Sequence, residues 1–317
     1  MPEGLFFVWK NYQRRAEVLA PLLGTDLLSI SHIFGSRYLR PLDYLIKLVA
    51  SLHALWKQNP RFVIAQSPPL FSALPALITR TPYVLDAHNP VFQAIQGKIS
   101  WGSLPLSEKI VKNAQAMIVH NHGILRLARQ IYPETIFFNI PDPLDLISST
   151  SNARLSNQIL AICSFDPDEP VEVLIKSIQE LPDYTFVVTA NPLKLPPNLR
   201  SILEQLPNVK LTGFLPTKEY HSILRTSLAA LVLTNQDLTQ PSGACEALSS
   251  DTQLIVSQTS LTTELFGEWA TLVENTAPSI VEAIRSLQPR DIDLSVYRDS
   301  WNQLVHREIS NLKKFLA

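Results

Sequence analysis

The stretch Thr234-Asn235-Gln236-Asp237-Leu238-Thr239-Gln240-Pro241-Ser242-Gly243-Ala244-Cys245-Glu246-Ala247-Leu248 joins an apolar run of strand length to a run of helical period, and it puts small residues where the helix begins. Exposed amides of Ser242, Gly243 and Ala244 at such a start form an anion site, because unpaired N–H groups and the helix dipole both favour phosphate oxygens. Gly243 lets a diphosphate come close, and Gln240 joins the same candidate diphosphate site. Glu246, one turn on, has the chemistry to accept two hydrogen bonds from the vicinal hydroxyls of a ribose. Asp237, at the strand exit, is placed to hold hydroxyls of a sugar. The same residues also suit a plain helix cap and a solvated helix acid, so spacing alone leaves both readings open.

Asp86-Ala87-His88 follows the apolar run Tyr83-Val84-Leu85 and so falls at the carboxyl edge of a strand, where wound α/β domains collect ligands. A histidine there can deprotonate a hydroxyl or hold a sugar, with Asp86 orienting its ring. It can equally be hydrogen-bonded structure; His120 and His122, at another strand end, are weaker candidates. Asp166-Pro167-Asp168 has a spacing that can hold a divalent cation on a diphosphate. Its place argues otherwise: Glu169-Pro170 opens a helix next to it, where acids serve as caps and dipole partners. Neither a metal nor a cofactor is expected.

The elements that position these groups alternate. Strand-length apolar runs (Leu5 to Trp9, Leu27 to Ile30, Phe62 to Ala65, Tyr83 to Asp86, Ala116 to His120, Thr135 to Asn139) are separated by helical stretches, the pattern of a parallel sheet covered on both faces. The chain turns polar from Ile140 to Asn157, through Ser148-Ser149-Thr150-Ser151-Asn152, and the alternation restarts at Ile159 and runs to Leu287. Two α/β domains follow, at 1–145 and 146–290. The tail, 291–317, carries Tyr297, Trp301, Leu304, Val305, Leu312 and Phe315 at helical spacing and is expected to cross back to the first domain.

Bulk numbers narrow the function. A chain of 317 residues suits two cores, and 27 basic against 28 acidic side chains leave no field for a nucleic-acid partner. Only 9 glycines occur, and neither G-x-G-x-x-G nor G-x-x-x-x-G-K-[ST] is present, which removes most support for dinucleotide oxidoreductases and P-loop kinases. Two distant cysteines, Cys163 and Cys245, in apolar or small-residue settings suit a reducing, cytoplasmic compartment. The opening run Leu5 to Trp9 is too short for a signal sequence and lacks a basic leader. The stretch Tyr44 to Trp56 is interrupted by Lys47 and His53 and falls short of the roughly 20 residues of a bilayer span, so membrane contact would be peripheral at most.

Gly243, Glu246 and Ala247 resemble the donor-binding signature of GT-B glycosyltransferases, above all the large family 4 group, where a Gly-containing turn precedes a Glu-Ala pair. The resemblance covers nearly the whole chain in order of elements and extends to bacterial, including cyanobacterial, exopolysaccharide enzymes such as those of the heterocyst envelope polysaccharide. It implies two Rossmann-like domains facing across a cleft, with the C-terminal helix packing across both. It also implies transfer of a hexose, with UDP-glucose as the donor, to a saccharide or lipid-linked saccharide, and partner glycosyltransferases. Residue by residue it makes Glu246 the ribose ligand and puts the base against Thr189, Phe214 and Leu215, at Thr189-Ala190-Asn191 and Thr212-Gly213-Phe214-Leu215. His88 and Asp86 match a comparable acid-x-His element of related enzymes. Where the family usually has a second Glu this chain has Leu238, so Asp237 would substitute from one place earlier. Where it has a Gly-Arg-Leu turn and a Lys, this chain has Ser164-Phe165-Asp166 and Glu169, which makes Arg15, at the first strand-to-helix turn, the expected diphosphate cation. A UDP-sugar 2-epimerase and a non-catalytic sugar-nucleotide-binding subunit are the rival readings.

Overall fold

The computed structural model describes residues 3–11, 13–34, 37–94, 99–147, 154–289 and 292–317. The run Ser148 to Asn152 and the expected boundary at 290/291 lie outside these. By compactness the chain divides into a first unit of residues 1–143 and 302–317 and a second of 144–301.

In the first unit, strands β1 (Gly4–Val8), β2 (Thr25–Ser29), β3 (Phe62–Ser67), β4 (Tyr83–Ala87), β5 (Ala116–Val119) and β6 (Phe137–Asn139) form one parallel sheet in the order β2-β1-β3-β4-β5-β6. Every residue of β1, β3, β4 and β5 is buried, as it must be when helices cover both faces. The first helix, Arg14–Leu23, ends at Gly24, whose φ of 69° closes the last turn by donating to the Ala20 and Pro21 carbonyls.

The second unit repeats the plan with β7 (Gln158–Ala161), β8 (Thr185–Val188), β9 (Val209–Leu211), β10 (Ala229–Val232), β11 (Leu254–Ser257) and β12 (Thr271–Val273), ordered β12-β11-β10-β7-β8-β9 and again parallel. Alternate residues feed two cores. Ala229 and Leu231 join Ile159, Phe186 and Ile255 under the helices Val171–Gln179 and Ala277–Ser286. Ala230 and Val232 join Leu160, Val187 and Val256 under Thr217–Thr226 and Ser242–Ser249. Each fully buried Leu, Ile or Phe contributes about 1.5–3 kcal/mol, so both faces of the sheet are fixed by many small terms.

Strand β12 and the helix Ser260–Phe266 are additions to the expected elements. The last helix, Ser295–Leu316, divides at Trp301/Asn302. Its start belongs to the second unit, where Arg298 donates to the Leu248 carbonyl and to Asp251 and the Trp301 ring stacks on Phe266. Its end belongs to the first, where Phe315 meets Phe138.

In each sheet the strand order reverses once, between β1 and β3 and between β7 and β10. Loops leaving adjacent strands there diverge to opposite faces and open a crevice at the carboxyl edge, the usual place for a ligand in such sheets.

Candidate functional site

The crevice of the second unit lies between the loops that follow β7 and β10. The helix Ser242–Ser249 starts here after Pro241, with no side chain capping it. The Ala244 N–H turns back to the Pro241 carbonyl at 3.2 Å, so the outward donors of the first turn are Ser242 and Gly243, two amides rather than the three expected. Gly243 has a packing reason as well: a Cβ built on it would stand 2.9 Å from Ile162 Cγ2, so only glycine lets the helix sit this close to the end of β7. Gln240 donates to Cys245 Sγ at 3.3 Å, and its carbonyl oxygen is buried without a partner among the described residues.

Glu246 is half-buried one turn along, and the Tyr220 hydroxyl of the helix Thr217–Thr226 donates to its Oε2. That hydrogen bond orients the carboxylate; Tyr220 was not among the expected site residues. An aromatic hydroxyl 26 residues away leaves no local spacing signal. Asp237 accepts from the Ser260 amide at 2.6 Å and lines an open cleft of about 750 Å³ with Asn235, Gln258 and Glu274. Asn275, after β12, braces this loop by donating to the Thr234 carbonyl at 2.9 Å and to Asn235 at 2.8 Å.

The loop after β7 holds its own anion. The Glu169 carboxylate accepts from the Ser164 amide at 3.0 Å and the Phe165 amide at 2.7 Å, and Phe165 takes a left-handed φ of 56° that turns both N–H groups inward. Burial pushes the Glu169 carboxyl up, and these hydrogen bonds only partly offset it. The amides of this turn are thus already engaged within the chain. Asp166 pairs with Lys194 at 3.2 Å and accepts from the Ser164 hydroxyl, whereas Asp168 accepts from the Thr234 hydroxyl at 3.2 Å and its carbonyl from the Asn235 amide at 2.7 Å. The two acids serve separate partners, and no group of metal-ligating side chains is assembled among the described residues.

Thr189 exchanges hydrogen bonds with the Cys163 main chain, which places it at the same carboxyl edge. Gly213 turns the chain at φ 62°. Phe214, beyond it, is 100% exposed, which leaves a free aromatic face beside half-buried Leu215.

In the first unit Arg15 is buried rather than open to a ligand. Its Nε donates to Asp86 at 3.0 Å and 3.3 Å, its Nη1 to Asp142 and its Nη2 to the Ile140 carbonyl at 2.8 Å. The expected diphosphate cation is therefore already engaged, and what it does here is set the charge of Asp86. Burial would raise the Asp86 pKa, but Arg15 and then His88 outweigh it and hold this carboxyl well below the usual carboxylate range. Asp86 is an ion at neutral pH and cannot shuttle a proton. His88 is part-exposed, with Nε2 3.7 Å from Asp86, beyond hydrogen-bond reach, and 3.4 Å from the Gln66 amide nitrogen. Its ring lies 5.3 Å from that of His120, which desolvation, then His88 and Arg15, lower to about 3. His120 therefore stays neutral across the physiological range.

Buried polar atoms without a partner among the described residues gather at this edge: Gln66 Oε1 and Ser67 Oγ at the end of β3, Asn121 Nδ2 after β5 and Asn139 Oδ1 at the end of β6. Each such atom costs about 1–3 kcal/mol unless something else satisfies it, so this edge carries hydrogen-bonding capacity that the described side chains do not use. Their signal in the sequence is a polar side chain at the carboxyl end of successive apolar runs.

No family model matches the chain, and no curated protein does. Among solved structures, HepE from Anabaena, in complex with UDP and glucose, matches 99% of this chain over 95% of its own length at 12% identity and a TM-score of 0.68. TarM of S. aureus matches 85% of this chain at 16% identity and a TM-score of 0.62, and this chain spans only 57% of TarM. A Listeria monocytogenes protein assigned as a UDP-N-acetylglucosamine 2-epimerase matches 97% of this chain over 91% of its own at 11% identity and a TM-score of 0.59. At these identities the likeness shows the fold, which is that of the GT-B glycosyltransferases.

Proposed function

We propose that the chain is a glycosyltransferase that moves a hexose, glucose in the first instance, from a UDP-sugar to a saccharide or lipid-linked saccharide during polysaccharide synthesis. The observation that carries the reading is the pairing, at the β7/β10 crevice, of an uncapped helix start at Ser242 and Gly243 with a carboxylate one turn along that Tyr220 already orients. A pyrophosphate suits the first and a ribose diol the second. Exposed Phe214 offers a face for a base, and Asp237 lines an open cleft that a hexose fits. Helix amides stabilise charge on the departing diphosphate, with no metal or cofactor required. His88, on the strand edge that carries those unpaired polar atoms, takes hydroxyls of the acceptor. The setting proposed is the cytoplasm.

The test is incubation of UDP-glucose with and without oligosaccharide acceptors. UDP release that depends on acceptor, with a new glycosidic product, is the expected outcome. An epimerised sugar from donor alone would instead establish the 2-epimerase reading, which the Listeria fold relative favours. Binding of UDP-glucose without any turnover would establish a silent binding subunit, the reading favoured by a phosphate-side turn whose amides already hold Glu169.

A further inference from the structure

The loop that leaves β10 is held from behind by a ring of three hydrogen bonds. Thr234 is buried just past the end of the strand, where its main-chain groups have left the ladder. Its N–H donates to Ser257 Oγ at 2.9 Å, the Ser257 hydroxyl donates to Asn275 Oδ1 at 2.6 Å, and Asn275 Nδ2 donates back to the Thr234 carbonyl at 2.9 Å. Buried main-chain groups need partners, and Ser257 at the end of β11 and Asn275 just past β12 supply them. The ring also fixes which way the Asn275 amide faces: turned over, it would set its oxygen against the Thr234 carbonyl, acceptor on acceptor. On the other side of the loop the Thr234 hydroxyl donates to Asp168 at 3.2 Å and accepts from the Gln236 amide at 3.2 Å.

Asn275 has one further amide hydrogen, and it goes to Asn235 Oδ1 at 2.8 Å. That settles Asn235 in turn. Its oxygen is engaged, so the group it presents is Nδ2, which has no partner among the described residues. Asn235 is exposed and lines the open cleft together with Asp237, whose Oδ1 accepts from the Ser260 amide and whose Oδ2 is uncommitted among the described residues. The wall of the cleft therefore offers an N–H donor and a carboxylate acceptor two residues apart. We propose that Asn235 reads the transferred sugar, donating to one hydroxyl oxygen while Asp237 accepts from the neighbouring hydroxyl, and that Asn275 is the residue that positions it. The inference rests on the sugar-transfer reading and names how that site recognises a neutral hexose. A sugar hydroxyl both donates and accepts, so a donor beside an acceptor matches a vicinal pair, whereas acids alone read only its protons. The nucleotide half is taken by Ser242, Gly243 and Glu246, on a helix seated by the packing of Gly243 against Ile162 rather than by this ring. Disturbing Asn235 thus acts on the sugar and spares the nucleotide.

Calorimetric titration of the full chain with UDP and, separately, with UDP-glucose tests it. Asn235→Ala should bind UDP-glucose about tenfold more weakly than the parent, the effect of one hydrogen bond between uncharged groups, and bind UDP unchanged. Asn235→Asp, which exchanges the donor for a second acceptor beside Asp237, should lose more. Asn275→Ala should lose less than Asn235→Ala, and the two together should be no weaker than Asn235→Ala alone, because the positioning residue acts through the one already removed. Thermal melting accompanies each variant; Asn235 is exposed, so its substitutions keep the test open even where Asn275→Ala destabilises the unit. Unchanged UDP-glucose affinity in Asn235→Ala, equal losses for UDP and UDP-glucose, or additive losses in the double variant would overturn the proposal while leaving the nucleotide site in place. A parent that binds neither nucleotide would remove the sugar-transfer reading itself, and this proposal with it.

Discussion

Replacing Arg15 by Met removes the cation at the centre of the first unit while keeping most of its volume. Asp86, 1% exposed, would then hold a buried negative charge with only His88 at 3.7 Å to answer it. Breaking a buried pair in this way costs about 3–5 kcal/mol, since the surviving charge is desolvated and uncompensated. For a unit of this size that lowers the melting temperature by about 6–20 °C at neutral pH. The pH dependence gives a sharper check. In the parent, Asp86 has a depressed folded pKa, so its contribution is complete above the unfolded carboxylate value of about 3.9 and is lost only as pH falls through the lower folded value. In Arg15→Met the burial effect is no longer outweighed, the Asp86 pKa rises, and protonation relieves the penalty as pH falls. The gap between parent and variant should thus narrow on acidification, and Arg15→Met with Asp86→Asn should regain much of the loss. Scanning calorimetry from neutral to mildly acidic pH measures both. A variant that melts with the parent at neutral pH, or a double variant no better than the single, would refute the assignment of Arg15 as the internal counter-ion of Asp86.

Glu246→Ala should weaken UDP binding at least about a hundredfold by calorimetry, since two hydrogen bonds to a charged acceptor, each worth about 1.5–3 kcal/mol, are removed. Tyr220→Phe should cost less, because the carboxylate remains but its orientation is lost. Gly243→Ala should destabilise the second unit by about 1–3 kcal/mol in urea unfolding, and adding Ile162→Ala should cost less than the sum of the two, because the clash is with that side chain. EDTA should leave turnover unchanged; inhibition that manganese reverses would draw Asp166 and Asp168 away from their present partners into a metal site.

Strands buried on both faces read as continuous apolar runs, and that is why β1, β3, β4, β5, β10 and β11 were legible in the sequence. Thr271–Val273 escaped although Val209–Leu211, as short and likewise at a sheet edge, did not, and Ser260–Phe266 escaped because its capping box, Thr259 with Thr262, replaces the usual glutamate by threonine. The candidate site was legible where local rules apply, at Ser242, Gly243 and Glu246. It was illegible where the partner is distant. Nothing around Arg15 announces Asp142, 127 residues on, and an arginine at a strand-to-helix turn reads as a cation open to a diphosphate until the fold encloses it. Likewise Glu169 reads as an ordinary first-turn acid, and only the left-handed Phe165 reveals that it reaches back to fill its own loop.

The allotment of residues 302–317 to the first unit gives the two halves different histories during synthesis. The second unit is continuous, so a ribosome delivers all of it before the sixteen-residue remainder that the first unit still needs. Vectorial folding, ordinarily from the amino end onward, is here held open: the half begun earliest is finished last, with Phe138 awaiting Phe315. A chain stalled or clipped near Asn302 would release a sound second half attached to an unfinished first, a species that proteolysis should recognise by its leading half.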